Sequence, residues 1–152
     1  AKNMNTLKTN FVQDVGALGA LPFFLLIISF LYILNQNIFA LQLLLAIVLC
    51  HLLTYLIRWI YHKDRPAPQK YHSLVEKIDA SSFPSLHAMR AMTFFVFGIV
   101  HVPSLIAYSL FGTYLFCISF SRHYLHKHDA IDILGGIFIG GIISFLIISL
   151  HL

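Results

Sequence analysis

Long apolar runs alternate with short polar breaks along this chain. Residues 18–34, 39–61, 84–102, 105–120 and 131–150 each read as a membrane-crossing helix, at or near the length the hydrocarbon core requires. Asn35-Gln36-Asn37 and His101-Val102-Pro103-Ser104 are the tight polar connections between them. Pro84 suits the first turn of the third run, where its missing N–H costs nothing. Residues 1–17 are too polar to cross. There Met4, Leu7, Phe11, Val15 and Leu18 recur three and four apart, which predicts an amphipathic helix lying in the interface or extending the first span. One long polar segment, 62–83, carries Lys63, Asp64, Arg65, Lys70, Glu76, Lys77 and Asp79, and residues 71–80 inside it suit a short surface helix. A connection of that length in so small a protein usually carries function. The predicted fold is all-α: one membrane-embedded domain over 1–152, a polytopic bundle of about five transmembrane helices plus an N-terminal interfacial helix.

Composition changes little in this picture. Hydrophobic residues make up 59% of the 152 and charged residues 11%, with a mean hydropathy of +0.81, so lipid must solvate several segments. The net charge of +4 is modest and its basic residues are clustered, which argues against a nucleic-acid surface. Cys50 and Cys117 lie inside apolar runs, read as small packing residues, and form no zinc or redox spacing. The run 21–34 lacks a small-residue cleavage site after it and reads as a retained span rather than a signal peptide. Gly135-Gly136 and Gly140-Gly141 predict close helix packing in the last span.

The chemistry sits in three short pieces: Arg58-x6-Arg65-Pro66, Pro84-Ser85-Leu86-His87, and Ser121-Arg122-x5-His128-x3-Asp132. Alternating crossings bring all three to one membrane face. Arg58, Arg65 and Arg122 suit a phosphate dianion, because each guanidinium offers a planar fork of donors. His128 with Asp132 four residues later places a carboxylate one helical turn away, where it can fix the imidazole's tautomer and leave the other nitrogen as nucleophile or base. His87 and Ser85 open the third span, where backbone N–H groups attract an anion. Arg90 follows one turn after His87 and is a secondary candidate for substrate contact. His123, His126, His128 and Asp129 match no zinc spacing, and no acidic pair stands ready for Mg²⁺, so no metal and no cofactor is expected.

These three pieces resemble the signature motifs of the type 2 phosphatidic acid phosphatase superfamily, over Arg58 to about Gly141. The resemblance implies that His128 attacks phosphorus to form a phosphohistidine, with Asp132 orienting it. By the same resemblance His87 protonates the leaving group, and Arg58, Arg65, Arg122 and Ser85 hold the phosphate oxygens. Two positions depart from the family pattern. Arg58 stands where lysine is usual, keeping the charge but not the point-charge geometry. Leu86 stands where glycine is usual, which removes access to φ > 0 and narrows the approach to the phosphate. The chain is also shorter than six-span family members, by about one N-terminal crossing.

The sequence therefore predicts an integral-membrane, metal-independent phosphatase acting on a lipid phosphate or isoprenyl diphosphate. Alternatives are a lipid phosphotransferase using the same site, a non-catalytic lipid-phosphate binder closed by Leu86, and a small transporter or metal-handling protein built on the histidines. Lys2, Lys8, Lys63, Lys70, Lys77 and Lys127 all fall on the motif side, which the positive-inside tendency would put in the cytoplasm. The family resemblance points instead to the non-cytoplasmic face of the cell membrane.

Overall fold

The computed structural model describes residues 2–67 and 70–150, with side chains from residue 6 onward, so Met4 of the amphipathic stripe lies outside the described side chains. Seven helices follow in order: α1 Lys2–Ala17, α2 Leu21–Ile33, α3 Asn37–Ile60, α4 Leu74–Ala80, α5 Leu86–His101, α6 Leu105–Tyr124 and α7 Ala130–Ser149. The protein is an all-helical membrane bundle.

Every apolar run forms a helix, but their lengths differ. α3, α6 and α7 are long and apolar enough to cross a bilayer. The pair α1 and α2 meets that test only together and is bent by 47°, so by length and composition three helices pass among the described residues, or four candidates with the pair counted as one. α5 has 16 residues, so its rise is about 24 Å, short of a full core of about 30 Å. Five apolar helices are present where five spans are expected, yet two of them fall short of a crossing on their own.

α5 is the centre, packing on α3, α6 and α7. Its approach to α7 is close because Gly136 and Gly140 lack side chains: a Cβ there would lie 2.5 Å from the Ser85 carbonyl oxygen and 2.6 Å from that of Met89. The glycine spacing is thus a packing device, as its pattern predicts. The core joins Phe24, Phe39, Leu43, Cys50, Met89, Phe97, Ile143 and Ile147. Large side chains such as Leu26, Ile60, Leu105 and Phe138 point outward, the arrangement expected of a lipid-facing surface.

The predicted N-terminal helix is present. Leu7, Phe11 and Leu18 are exposed, while Gly16 and Gly19 are buried and meet Ser121, Ile118 and His87. Its apolar stripe is therefore free for lipid, and its glycine edge seats it on the bundle. Pro84 differs from expectation. The Phe83–Pro84 peptide is cis and Ser85 is the N-cap of α5, so the proline lies before the helix rather than in its first turn.

Candidate active site

Arg58, Arg65, His87 and Arg122 line one cavity of about 320 Å³ together with His128, Leu86, Arg90 and Asp79. The three sequence pieces thus meet at one end of the bundle. Ser85 and Asp132 do not line the cavity; both are fully buried behind it.

Backbone hydrogen bonds fix this convergence. Ser82 N–H donates to the Lys63 carbonyl (2.7 Å), and Ser82 Oγ donates to the carbonyls of Lys63 and Asp64, each at 3.1 Å. These bonds pin the two ends of the 62–83 segment to each other. Ala67 N–H donates to the His126 carbonyl, and Ser85 N–H to the Asp132 carbonyl. The first piece is so tied to the third, and the second to α7.

Arg58 sits in the last turn of α3 and donates from Nη2 to the Pro84 carbonyl at 3.0 Å and from Nη1 to that of Ile78 at 3.5 Å. Arg65 donates from Nη2 to the Asp79 carbonyl at 2.6 Å. Both guanidiniums are held by neutral carbonyl oxygens, which orient them without cancelling their charge. Leu86 takes no positive φ: among the described non-glycine residues only Asn35 and His126 do. The freedom glycine would add is not needed here, and the leucine side chain simply becomes part of the cavity wall.

α6 closes in a way that delivers His128 to Arg122. His126 takes φ 52°; its N–H returns to the His123 carbonyl, and the Lys127 N–H to the Arg122 carbonyl. This is a Schellman turn with histidine in the place usually taken by glycine. The His128 N–H also donates to the Arg122 carbonyl, at 3.2 Å.

His128 precedes α7 rather than lying on its first turn. Its Nδ1 is 3.7 Å from Asp132 Oδ2, within ion-pair range but longer than a hydrogen bond. Asp132 is occupied elsewhere: Oδ2 accepts the Asp129 N–H at 3.1 Å, while Asp129 Oδ1 accepts the Asp132 N–H at 3.0 Å. These reciprocal bonds form a capping box with aspartate at both positions. Asp132 Oδ1 accepts from Lys63 Nζ at 2.8 Å, and the same ammonium donates to Asp129 Oδ2 at 2.7 Å. Lys63 and Asp129 are thus parts of the site that spacing alone did not single out as partners. The lysine's place between Arg58 and Arg65 was the available signal.

Burial, and then the positive fields of Arg122, Arg65 and Arg58, push the His128 imidazole down from 6.5 to about 3, so the ring is neutral near pH 7. Burial works against the Lys63 charge, but the two aspartates outweigh it and hold the ammonium above its ordinary range. Arg58 Nε, Arg90 Nη1 and Arg122 Nε, on side chains that line the cavity, are buried without a hydrogen-bond partner among the described residues. A cluster of such donors around one cavity marks a site for an anion. No group of three or more His, Cys, Asp or Glu side chains among the described residues is arranged to hold a metal ion.

A cationic cavity opening at one end of a lipid-solvated helical bundle, with two imidazoles in its wall, defines a membrane protein built to bind an anionic group. Residues 39–152 match the family model of the PAP2 superfamily. The chain belongs to that superfamily. The crystal structure of a transmembrane PAP2-type phosphatidylglycerolphosphate phosphatase from Bacillus subtilis is similar at 27% identity and a TM-score of 0.72, over 95% of this chain and 77% of that one. That of Aquifex aeolicus LpxE has 24% identity and a TM-score of 0.78, over 94% of this chain and 86% of that one, a likeness of fold. No curated protein sequence matches the chain.

Proposed function

We propose that this protein is an integral-membrane phosphatase that removes a phosphoryl group from a lipid phosphate or diphosphate, without a metal, through a phosphohistidine. The observation that carries this reading is the convergence of Arg58, Arg65, Arg122, His87 and His128 on one cavity. The three arginines hold the phosphoryl oxygens; Ser85, expected to join them, is buried behind the cavity wall. His128, neutral and with Nδ1 toward Asp132, attacks phosphorus with its other ring nitrogen. The N–P bond forms as the P–O bond to the lipid breaks, and His87, which takes up a proton as the bound phosphate dianion offsets Arg122 and Arg90, protonates the departing oxygen. Water then cleaves the N–P bond, releasing inorganic phosphate, and its proton returns to His87. Asp132 stabilises the positive ring in the intermediate through space rather than through a hydrogen bond.

The Bacillus subtilis neighbour supports a lipid substrate, since its own is phosphatidylglycerol phosphate. A cavity at the membrane surface lets the tail stay in lipid while the headgroup meets the arginines. Inorganic phosphate release from purified lipid phosphates, with His128→Ala as the blank, tests the reading. Release that persists in a strong chelator and disappears in the variant is the expected result. Release unchanged by the substitution refutes it. Adding an acceptor lipid separates hydrolysis from transfer, since transfer would yield a phosphorylated acceptor in place of free phosphate.

A further inference from the structure

Arg90 is the arginine of the cavity that belongs to none of the three sequence pieces. It lines the same space and is 3% exposed, yet no ion pair reaches it among the described residues. Its Nε donates to the Leu86 carbonyl at 3.3 Å, its guanidinium lies 5.9 Å from the centre of the Phe24 ring, and Nη1 is buried with no partner. Of the carboxylates around the site, Asp129 and Asp132 are held by Lys63, and Asp79, in the cavity wall, makes no ion pair with Arg90 among the described residues. A full charge held in a membrane bundle with only a carbonyl and an aromatic face for company is costly, and such residues are normally kept for a ligand.

Its position says which ligand group. Helical side chains lean toward the N-terminus, and the bond to Leu86 shows Arg90 folded back that way, toward the cavity. Its Cα nevertheless lies about 4.5 Å deeper along α5 than that of His87. In the reading above His128 faces the phosphorus and His87 the departing oxygen, so Arg90, one turn beyond His87 in the same cavity wall, falls on the leaving-group side.

We propose that Arg90 forms a second anion subsite on the leaving-group side, which takes the lipid-linked phosphate of a diphosphate headgroup. This rests on the phosphatase reading and narrows its substrate class. His128 forms the N–P bond to the terminal phosphorus while the bridging P–O bond breaks. The electron pair leaves on the lipid monophosphate, whose growing charge meets Arg90. Water completes the cycle as before, giving inorganic phosphate and the lipid monophosphate.

The test compares kcat/KM for an isoprenyl diphosphate and the isoprenyl monophosphate with the same tail, in wild type, Arg90→Met and Arg90→Lys. The diphosphate-to-monophosphate ratio should exceed one in wild type and fall roughly 10–100-fold in Arg90→Met, the size of a lost hydrogen bond to a charged group. Arg90→Lys should fall between the two. A ratio unchanged in Arg90→Met, or equal losses on both lipids, overturns the subsite. Should the variants fail to fold, calorimetric binding to wild type decides. A lipid methylenediphosphonate should bind at least about tenfold tighter than the tail-matched monophosphonate, as an added charged contact implies; equal binding overturns the proposal. The two readings fail separately, because wild type releasing phosphate from neither lipid refutes the phosphatase, whereas equal phosphonate binding refutes only the second subsite.

Discussion

At the end of α2, Asn35 takes φ 58°, and the N–H groups of Asn35 and Gln36 return to the carbonyls of Tyr32 and Leu31. At the end of α6, His126 takes φ 52° and closes the helix with the same pair of bonds one residue apart. The first turn leads into α3 and carries no ionisable side chain. The second hands the chain to His128, holds it on the Arg122 carbonyl, and bonds the 62–83 segment through Ala67. The wider surroundings differ likewise. Near the first turn, polar groups satisfy one another: His101 bonds Gln42 at 2.8 Å and stacks on Phe39 with ring centres 4.7 Å apart. Near the second, several buried donors have no protein partner. Cavities of similar size lie at the two ends, about 310 Å³ beside Asn35 and His101 and about 320 Å³ at the arginines, but only the second gathers cationic side chains.

Substitutions sharpen that contrast. The largest effect is expected from His128→Ala, which should abolish phosphate release, while His87→Ala should lower kcat roughly 10²–10⁴-fold through lost proton transfer. His101→Ala, at the opposite end, should leave turnover of the folded protein unchanged. Steady-state kinetics on one lipid phosphate checks all three.

Lys63→Met should come next. It leaves the Asp132 carboxylate buried without its ammonium and frees it toward His128. We expect roughly a 10–100-fold loss, mostly in kcat, with a stability loss of about 1.5–3 kcal/mol. Kinetics paired with thermal unfolding in detergent reads both. A change confined to KM would place Lys63 in substrate binding instead.

Two glycines offer a matched pair. A Cβ at Gly19 would lie 2.9 Å from His87 Cδ2, whereas one at Gly98 would lie 2.5 Å from Phe111 Cε2. Both alanine substitutions overpack, at a cost of about 1–3 kcal/mol. Gly19→Ala should also lower kcat, because the imidazole must move, and Gly98→Ala should not. Equal kinetic losses would show that α1 merely stabilises the fold.

The two turns allow the same comparison. Valine is strained at positive φ, so Asn35→Val and His126→Val should each cost about 1–2 kcal/mol, measured by thermal unfolding. Only His126→Val should also reduce turnover, by misplacing His128.

The last contrast is a pH dependence of stability. His128 titrates near 6.5 when unfolded and at about 3 when folded, so acid favours the unfolded state. The stability it contributes is whole above about 6.5 and is lost as pH falls toward about 3. Between pH 7 and 4.5 the thermal midpoint of wild type should therefore fall further than that of His128→Gln.

Much of the site was readable because periodicity decides where helices cross, and the parity of crossings decides which ends share a face. That put Arg58, His87, Arg122 and His128 together before any coordinates. The packing role of Gly136 and Gly140 was equally legible, since only small residues let helix backbones approach. The relation of His128 to Asp132 was not. Their spacing suggests one helical turn, but the helix starts after His128, because Asp129 and Asp132 cap each other and Lys63 holds both. Span count was also beyond the pattern, as α2 and α5 close at 13 and 16 residues and α2 meets α1 at a 47° bend.

The order of apolar runs and polar breaks by itself determined a membrane bundle with its charges gathered at one end, because runs of that length cross hydrocarbon as helices and charge is costly on their lipid-facing middles. Which carboxylate Lys63 holds, and that Arg90 has none, only tertiary packing decided. Those pairings depend on distances between segments far apart in the chain, and sequence spacing carries no information about them.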